Sequence, residues 1–153
     1  MKFEATDGFD LHWPRSSEAL RHRGFALMGL LVALLLIYSN SFFAEFHLDD
    51  FGNIVDNVNI QGDGLDWKEL SRSFYGSDFS RERIERPLVF FTFALNYRLH
   101  ELDPLGYHLV NFLLHYAASV VLYLLLIHCL RLPALGGRYT DTAPGIALLA
   151  AFM

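Results

Sequence analysis

Cysteine is almost missing from this sequence: Cys129 is the only one among 153 residues, so no disulfide framework holds the fold. Charge is also sparse, at 19% DEKR against 53% AVILMFWYC with a mean hydropathy of +0.27, which excludes a disordered or collagen-like chain. Two long stretches have no Asp, Glu, Lys or Arg at all: residues 24–43 (GFALMGLLVALLLIYSNSFF) and residues 107–130 (YHLVNFLLHYAASVVLYLLLIHCL). A helix rises 1.5 Å per residue, so about 20 such residues cross the ~30 Å hydrocarbon core of a bilayer. These stretches predict transmembrane helices 1 and 2. A third apolar run opens at Pro144, and the sequence stops ten residues into it. The expectation is a truncated third membrane helix in a fragment of a longer protein.

The remaining charge sets an orientation. Residues 1–23 hold four basic and four acidic side chains, with Arg21, His22 and Arg23 directly before helix 1. Residues 44–106 hold six basic and twelve acidic side chains, and Arg131 and Arg138 follow helix 2. By the positive-inside rule, segments 1–23 and 131–143 are cytoplasmic and the acidic loop 44–106 is external. That loop is periplasmic if the membrane is a bacterial inner membrane, or lumenal if it is endoplasmic reticulum. A basic segment, an apolar run over residues 25–37, and Ser39 and Ser41 also fit a signal peptide. The segment before the apolar run is long for that, and an uncleaved helix is favoured.

The acidic loop carries the specific features. Asp49 and Asp50 come five or six residues after helix 1, where a carboxylate at the bilayer surface can meet the head group of a lipid-linked substrate. Asp66 followed by Glu69 has the form of a capping box, predicting a short helix through about Tyr75. The Asn-, Asp- and Gly-rich stretch before it has turn chemistry. Read from Asn57 as a calcium loop it fails, because Lys68 stands where a bidentate Glu is required. Arg86-Pro87 opens a predicted helix to Leu102 in which Thr92, Asn96 and His100 recur every four residues, a narrow polar stripe that fits an interfacial helix. On helix 2, His108, Asn111, His115 and Ser119 fall within an arc of about 80° at 100° per residue. Such a face belongs inside a bundle or beside water, either as helix-to-helix glue or as a site.

Three blocks, DDFGNIVDNVNI (49–60), RPLVFFTFALNY (86–97) and LDPLGYHLVNFLLH (102–115), resemble the amino-terminal part of the TMTC family, the transmembrane and tetratricopeptide-repeat O-mannosyltransferases, and their bacterial relatives. The resemblance implies an all-α membrane protein of GT-C type whose external loop carries short interfacial helices. It also implies a lipid-phosphate-linked sugar as donor and a hydroxyl on protein or glycan as acceptor. Asp49 aligns with the first acid of the family's acidic pair and takes the role of catalytic base, with Asp50 as orienting neighbour. Arg86, in the basic-Pro-Leu motif, is the candidate for the donor phosphate, because guanidinium grips phosphate bidentately; His108 is the second candidate. Without the other two blocks, Asp49 and Asp50 would read as part of a solvated acidic loop.

No cofactor is certain. Asp49, Asp50 and Asp56 could together hold a hard divalent cation through oxygen ligands, although no spacing compels it. Nucleic acid is excluded as a partner by the acidic loop, and Cys129, with no charged neighbour, reads as an inert thiol. Two functions stand: a glycosyltransferase whose isolated fragment is inactive, and a non-catalytic membrane scaffold or subunit whose acidic loop binds a partner.

Overall fold

The computed structural model describes residues 17–64, 66–76, 84 and 86–153, and every element among them is helical. Helix α1 covers Ser17–Tyr38, α2 Trp67–Arg72, α3 Pro87–His100, α4 Pro104–Leu130 and α5 Ala143–Phe152. Short 3-10 turns occupy Ser41–Phe43, Ser73–Tyr75 and Pro133–Leu135, and a π-helical turn occupies Phe51–Val55. By length and composition, Leu20–Tyr38 and Pro104–Leu130 are long and apolar enough to cross a membrane. Of segment 1–23, only residues 17–23 are described, and they extend α1 ahead of the uncharged run.

Side-chain contacts fix α1 and α4 as antiparallel. Going up α1 and into the turn after it, Leu27 O accepts from the Tyr116 hydroxyl at 3.3 Å, Tyr38 meets His115 at 5.2 Å between ring centroids, and Phe42 meets Phe112 at 5.6 Å. Partner numbers fall along α4 as they rise along α1, so residues 39–103 leave from one end of the pair and Arg23 and Arg131 gather at the other. Helix α5 joins this end of the fold through Ala143, Ala147 and Ala151, all buried at a spacing of four. Small side chains on one face let its backbone approach closely. Leu30, Leu34, Phe112, Tyr123, Ile127, Ala147 and Ala151 form the core of this bundle.

The loop between α1 and α4 has a second core of its own, built from Ile54, Ile60, Leu70, Phe90, Ala94 and Tyr107. Tyr107 links it to α4: its ring packs against Phe46 at 5.4 Å and Phe93 at 6.0 Å, and its hydroxyl donates to Glu101 O at 3.1 Å. Two local expectations change here. The Asp66 side chain makes no capping hydrogen bond on α2; it lies against Gly64 instead, where a Cβ would come within 2.8 Å of Asp66 Oδ1. The polar stripe on α3 does not face one interface as a unit, because Asn96 is buried while Leu88 and Leu99 are 78% and 76% exposed. Those leucines are eleven positions apart and share an outward face, on which Thr92 also lies.

Gly106 lets the two α-helices meeting at residue 103 fold tightly. A Cβ there would come within 2.7 Å of His100 Cγ and 2.9 Å of His100 Cβ, whereas a Cβ at Gly145 would meet nothing within 4 Å. Gly106→Ala is therefore expected to destabilise by about 1–3 kcal/mol through overpacking. Gly145→Ala should be neutral or slightly stabilising, because alanine is the better helix former. Thermal melts of the two variants in detergent check the contrast.

Candidate functional site

After α1 the chain passes through the Ser41–Phe43 turn, runs without helix from Ala44 to His47, and reverses at Leu48. Leu48 has φ 47° and is 91% exposed. A left-handed backbone at a non-glycine residue costs of order 1–3 kcal/mol and tends to collect at functional sites. Asp49 and Asp50 follow at once, on the helical turn that becomes the π turn Phe51–Val55, where Asp56 N donates to Phe51 O at 2.7 Å.

The two carboxylates are in different situations. Asp50 Oδ2 accepts from the His47 backbone N–H at 3.0 Å, and the Asp50 N–H donates to His47 O at 2.9 Å, so Asp50 closes the turn on itself. Asp49 is exposed and has no hydrogen-bond partner among the described residues. Asp56 lies beyond the π turn and is exposed. Among the described residues no three His, Cys, Asp or Glu side chains gather as a cation would need. Asp50 is turned back onto backbone, and Asp56 follows the π turn.

Arg86 is the residue before α3 and also sits in the left-handed region, at φ 41° and ψ 55°. Its carbonyl accepts from Val89 N at 2.9 Å and Phe90 N at 3.2 Å, starting the helix without a side-chain cap. Its guanidinium lies 6.0 Å from the centre of the buried Phe90 ring and pairs with no carboxylate among the described residues. His108 is tied down, its Nε2 lying 3.0 Å from Ala44 O. With that nitrogen donating, the imidazole staples the first turns of α4 to the segment that leads to Asp49, and Nδ1 is left over. Asn111 of the same stripe is exposed and Ser119 is buried, while His115 packs on Tyr38.

The chain was compared with known proteins. A protein O-mannosyl-transferase of Caenorhabditis elegans is 37% identical over 107 residues, covering 67% of this chain and 16% of the relative. Human TMTC3, also named a protein O-mannosyl-transferase, is 39% identical over 87 residues, 55% of this chain and 10% of its own length. The Drosophila melanogaster Tmtc3 protein is 33% identical over 118 residues, covering 75% of this chain and 13% of the relative. The chain belongs to the TMTC family. It spans about a sixth or less of the length of these curated relatives. No protein-family model and no solved structure matches it.

In this TMTC-family chain the three blocks that carry the resemblance become parts of one subdomain: the π turn with the loop after it, the first turns of α3, and the start of α4. What holds them there is a set of side-chain hydrogen bonds to loop carbonyls. Asn57 is fully buried; its Nδ2 donates to Asn53 O at 3.0 Å and Gly76 O at 3.1 Å, and its Oδ1 accepts from Asn59 N at 3.0 Å. Asn59 Nδ2 also reaches Gly76 O, at 3.3 Å. Gly76, at φ 72° and ψ −148°, has a backbone that only glycine adopts readily. Gln61 ties the loop back to the π turn, donating to Ile54 O at 3.1 Å and also to Val55 O.

Arg98 of α3 completes the clamp. It donates to Ala94 O at 2.7 Å, Ile60 O at 3.4 Å and Gly64 O, gathering the loop carbonyls onto the helix. Gly62 must be small here, since a Cβ would sit 2.6 Å from Glu69 Oε2 and 3.0 Å from Arg98 Nη2. Arg98, the one arginine within α3, is the signal the sequence offers for this clamp.

Proposed function

We propose that this chain is part of a membrane-embedded protein O-mannosyltransferase of GT-C type, which moves mannose from a polyprenyl- or dolichyl-phosphate donor to a protein hydroxyl. The carrying observation is the exposed Asp49 carboxylate, set past a left-handed Leu48 and unpartnered among the described residues, in a chain whose relatives are named protein O-mannosyl-transferases. Helices α1 and α4 span the bilayer, and the outward leucines of α3 rest against its surface. The amino terminus and Arg131 are then cytoplasmic, and the acidic loop faces periplasm or lumen.

Transfer needs a base for the acceptor and a cation for the leaving group. As the acceptor oxygen bonds to the anomeric carbon, its proton passes to Asp49. The bond from that carbon to the phosphate oxygen breaks, and its electron pair stays on the lipid phosphate. Asp50 holds the turn that presents Asp49. The Arg86 guanidinium, which pairs with no carboxylate among the described residues, meets the phosphate charge, and His108 in its imidazolium form, where both ring nitrogens donate, offers Nδ1–H to the same phosphate. A non-catalytic scaffold is the less favoured reading, because the named relatives are transferases.

Arg86→Ala in the full-length protein tests the assignment of the donor phosphate. Donor affinity in a lipid-phosphate-mannose binding assay is expected to fall about tenfold to a hundredfold, since a charged bidentate contact is lost. Unchanged donor affinity would remove Arg86 from the site. Sidedness is tested in a Cys129→Ser background, where a cysteine at Gly62 is expected to react with an impermeant maleimide from outside and one at Gly136 only after permeabilisation.

A further inference from the structure

The segment that leads into Asp49 is tied at both ends and free in the middle. At one end Ala44 N donates to Ser41 O at 3.1 Å, and Ala44 O lies 3.0 Å from His108 Nε2. At the other end His47 N donates to Asp50 Oδ2 at 3.0 Å, and His47 O accepts from Asp50 N at 2.9 Å. Between them the Phe46 ring packs on Tyr107, with centroids 5.4 Å apart. The backbone N–H and C=O groups of Glu45 and Phe46 have no hydrogen-bond partner among the described residues.

This middle part has the form of a short strand. Ala44 is extended, at φ −75° and ψ 146°. Exposure then alternates, with Ala44 and Phe46 half-buried and Glu45 and His47 exposed, which is the period of two of an extended chain. In such a chain the backbone groups of successive residues point to opposite edges. The Ala44 carbonyl is turned to α4, where His108 meets it, so Glu45 directs both its N–H and its C=O to the opposite edge. One residue of an antiparallel neighbour can exchange two hydrogen bonds with a residue placed in this way. A loop that is only solvated needs none of these anchors. Here they hold an extended segment open along one edge, the arrangement to which an incoming peptide adds as a strand.

We propose that the protein acceptor binds by strand addition to this segment, pairing one of its residues through the backbone with Glu45 and so carrying its hydroxyl to Asp49. The proposal rests on Asp49 as the base and adds an acceptor site to that reading. Register follows from length. Glu45 stands four positions before Asp49, and at about 3.3 Å per residue the stretch from Glu45 to Leu48 covers about 10 Å. An antiparallel acceptor therefore meets Glu45 with the residue three or four positions after its hydroxyl-bearing one. Recognition there is by main chain, so that position takes most side chains and excludes proline, which has no N–H.

The test is equilibrium binding, by fluorescence anisotropy, of a fluorescein-labelled peptide of valine and lysine with a single threonine to the full-length protein in maltoside detergent. A single N-methyl group is walked along the peptide backbone. Methylation three or four positions after the threonine is expected to weaken binding at least about tenfold, and methylation before the threonine by no more than about twofold. Glu45→Pro removes the protein's own N–H at a position where no hydrogen bond of the fold is lost, and the extended Ala44 suits a following proline. It is expected to weaken the unmethylated peptide about three- to tenfold more than Glu45→Ala, which loses the same carboxylate and keeps the N–H. Circular dichroism and lipid-phosphate-mannose binding verify that both variants fold. Sensitivity to methylation at no position, or equally at every position, would overturn the pairing, as would equal affinities in Glu45→Pro and Glu45→Ala. These are binding constants, so the pairing fails on them alone, whereas the base assignment fails on the transfer rate of Asp49→Asn.

Discussion

Asp49→Asn in the full-length protein is expected to slow mannosyl transfer by about a hundred- to ten-thousand-fold, the usual contribution of a positioned general base. The amide keeps the size and shape of the carboxylate but cannot take the acceptor proton. Fold loss does not account for such a drop, because the Asp49 side chain is exposed and its carboxylate has no hydrogen-bond partner among the described residues. Asp50→Asn should behave differently. Its carbonyl oxygen can still accept from His47 N, the bond the carboxylate makes at 3.0 Å, so the turn survives and the rate loss is smaller. Steady-state transfer to an acceptor peptide distinguishes the two variants.

The largest structural effect is expected at Asn57. Asn57→Ala removes two donated bonds and one accepted bond from a fully buried position. Gly76 O keeps a bond from Asn59 Nδ2, but Asn59 N–H and Asn53 O lose the partners seen here. A buried polar group left without a partner costs about 1–3 kcal/mol, so the combined loss is about 3 kcal/mol or more. Hydrogen exchange across residues 53–76 should rise sharply in this variant. Asp56→Ala, one residue earlier and exposed, should change stability by less than about 0.5 kcal/mol. Equal exchange in both variants would show that the amide network does not hold the loop.

Hydropathy found both long helices because a run of uncharged residues is a property of composition. It placed their ends less well, since ends depend on local hydrogen bonding. Helix α1 stops at Tyr38, where Ser39 Oγ bonds back to Leu36 O at 2.8 Å, although Phe42 and Phe43 continue the apolar run. The Phe42 ring is used in packing on Phe112 rather than in extending the helix. Helix α4 begins at Pro104, capped by Asp103 Oδ1 accepting from Leu105 N at 3.0 Å. That Asp-Pro signal stood in the sequence, three residues ahead of where the uncharged run was taken to start.

The candidate site was legible only as residue types. Asp49, Asp50 and Arg86 could be named, but the left-handed backbones at Leu48 and Arg86 have no signature in a single sequence. Nor does the difference between Asp49 and Asp50, which depends on which carboxylate finds the His47 N–H. Asn57 and Asn59 were visible as turn formers. Their long-range bonds to Gly76 O, nineteen and seventeen positions away, were not, because local propensity carries no information about such closures.

Single-turnover transfer from pre-bound donor tests the central claim most directly, because it isolates the chemical step from donor binding. Full-length Asp49→Asn, loaded with lipid-phosphate-mannose and mixed with acceptor peptide, is expected to bind donor as the parent does and to transfer it at least about a hundredfold more slowly. A parental single-turnover rate in that variant would contradict the account, leaving Asp49 as one more solvated carboxylate on an acidic loop.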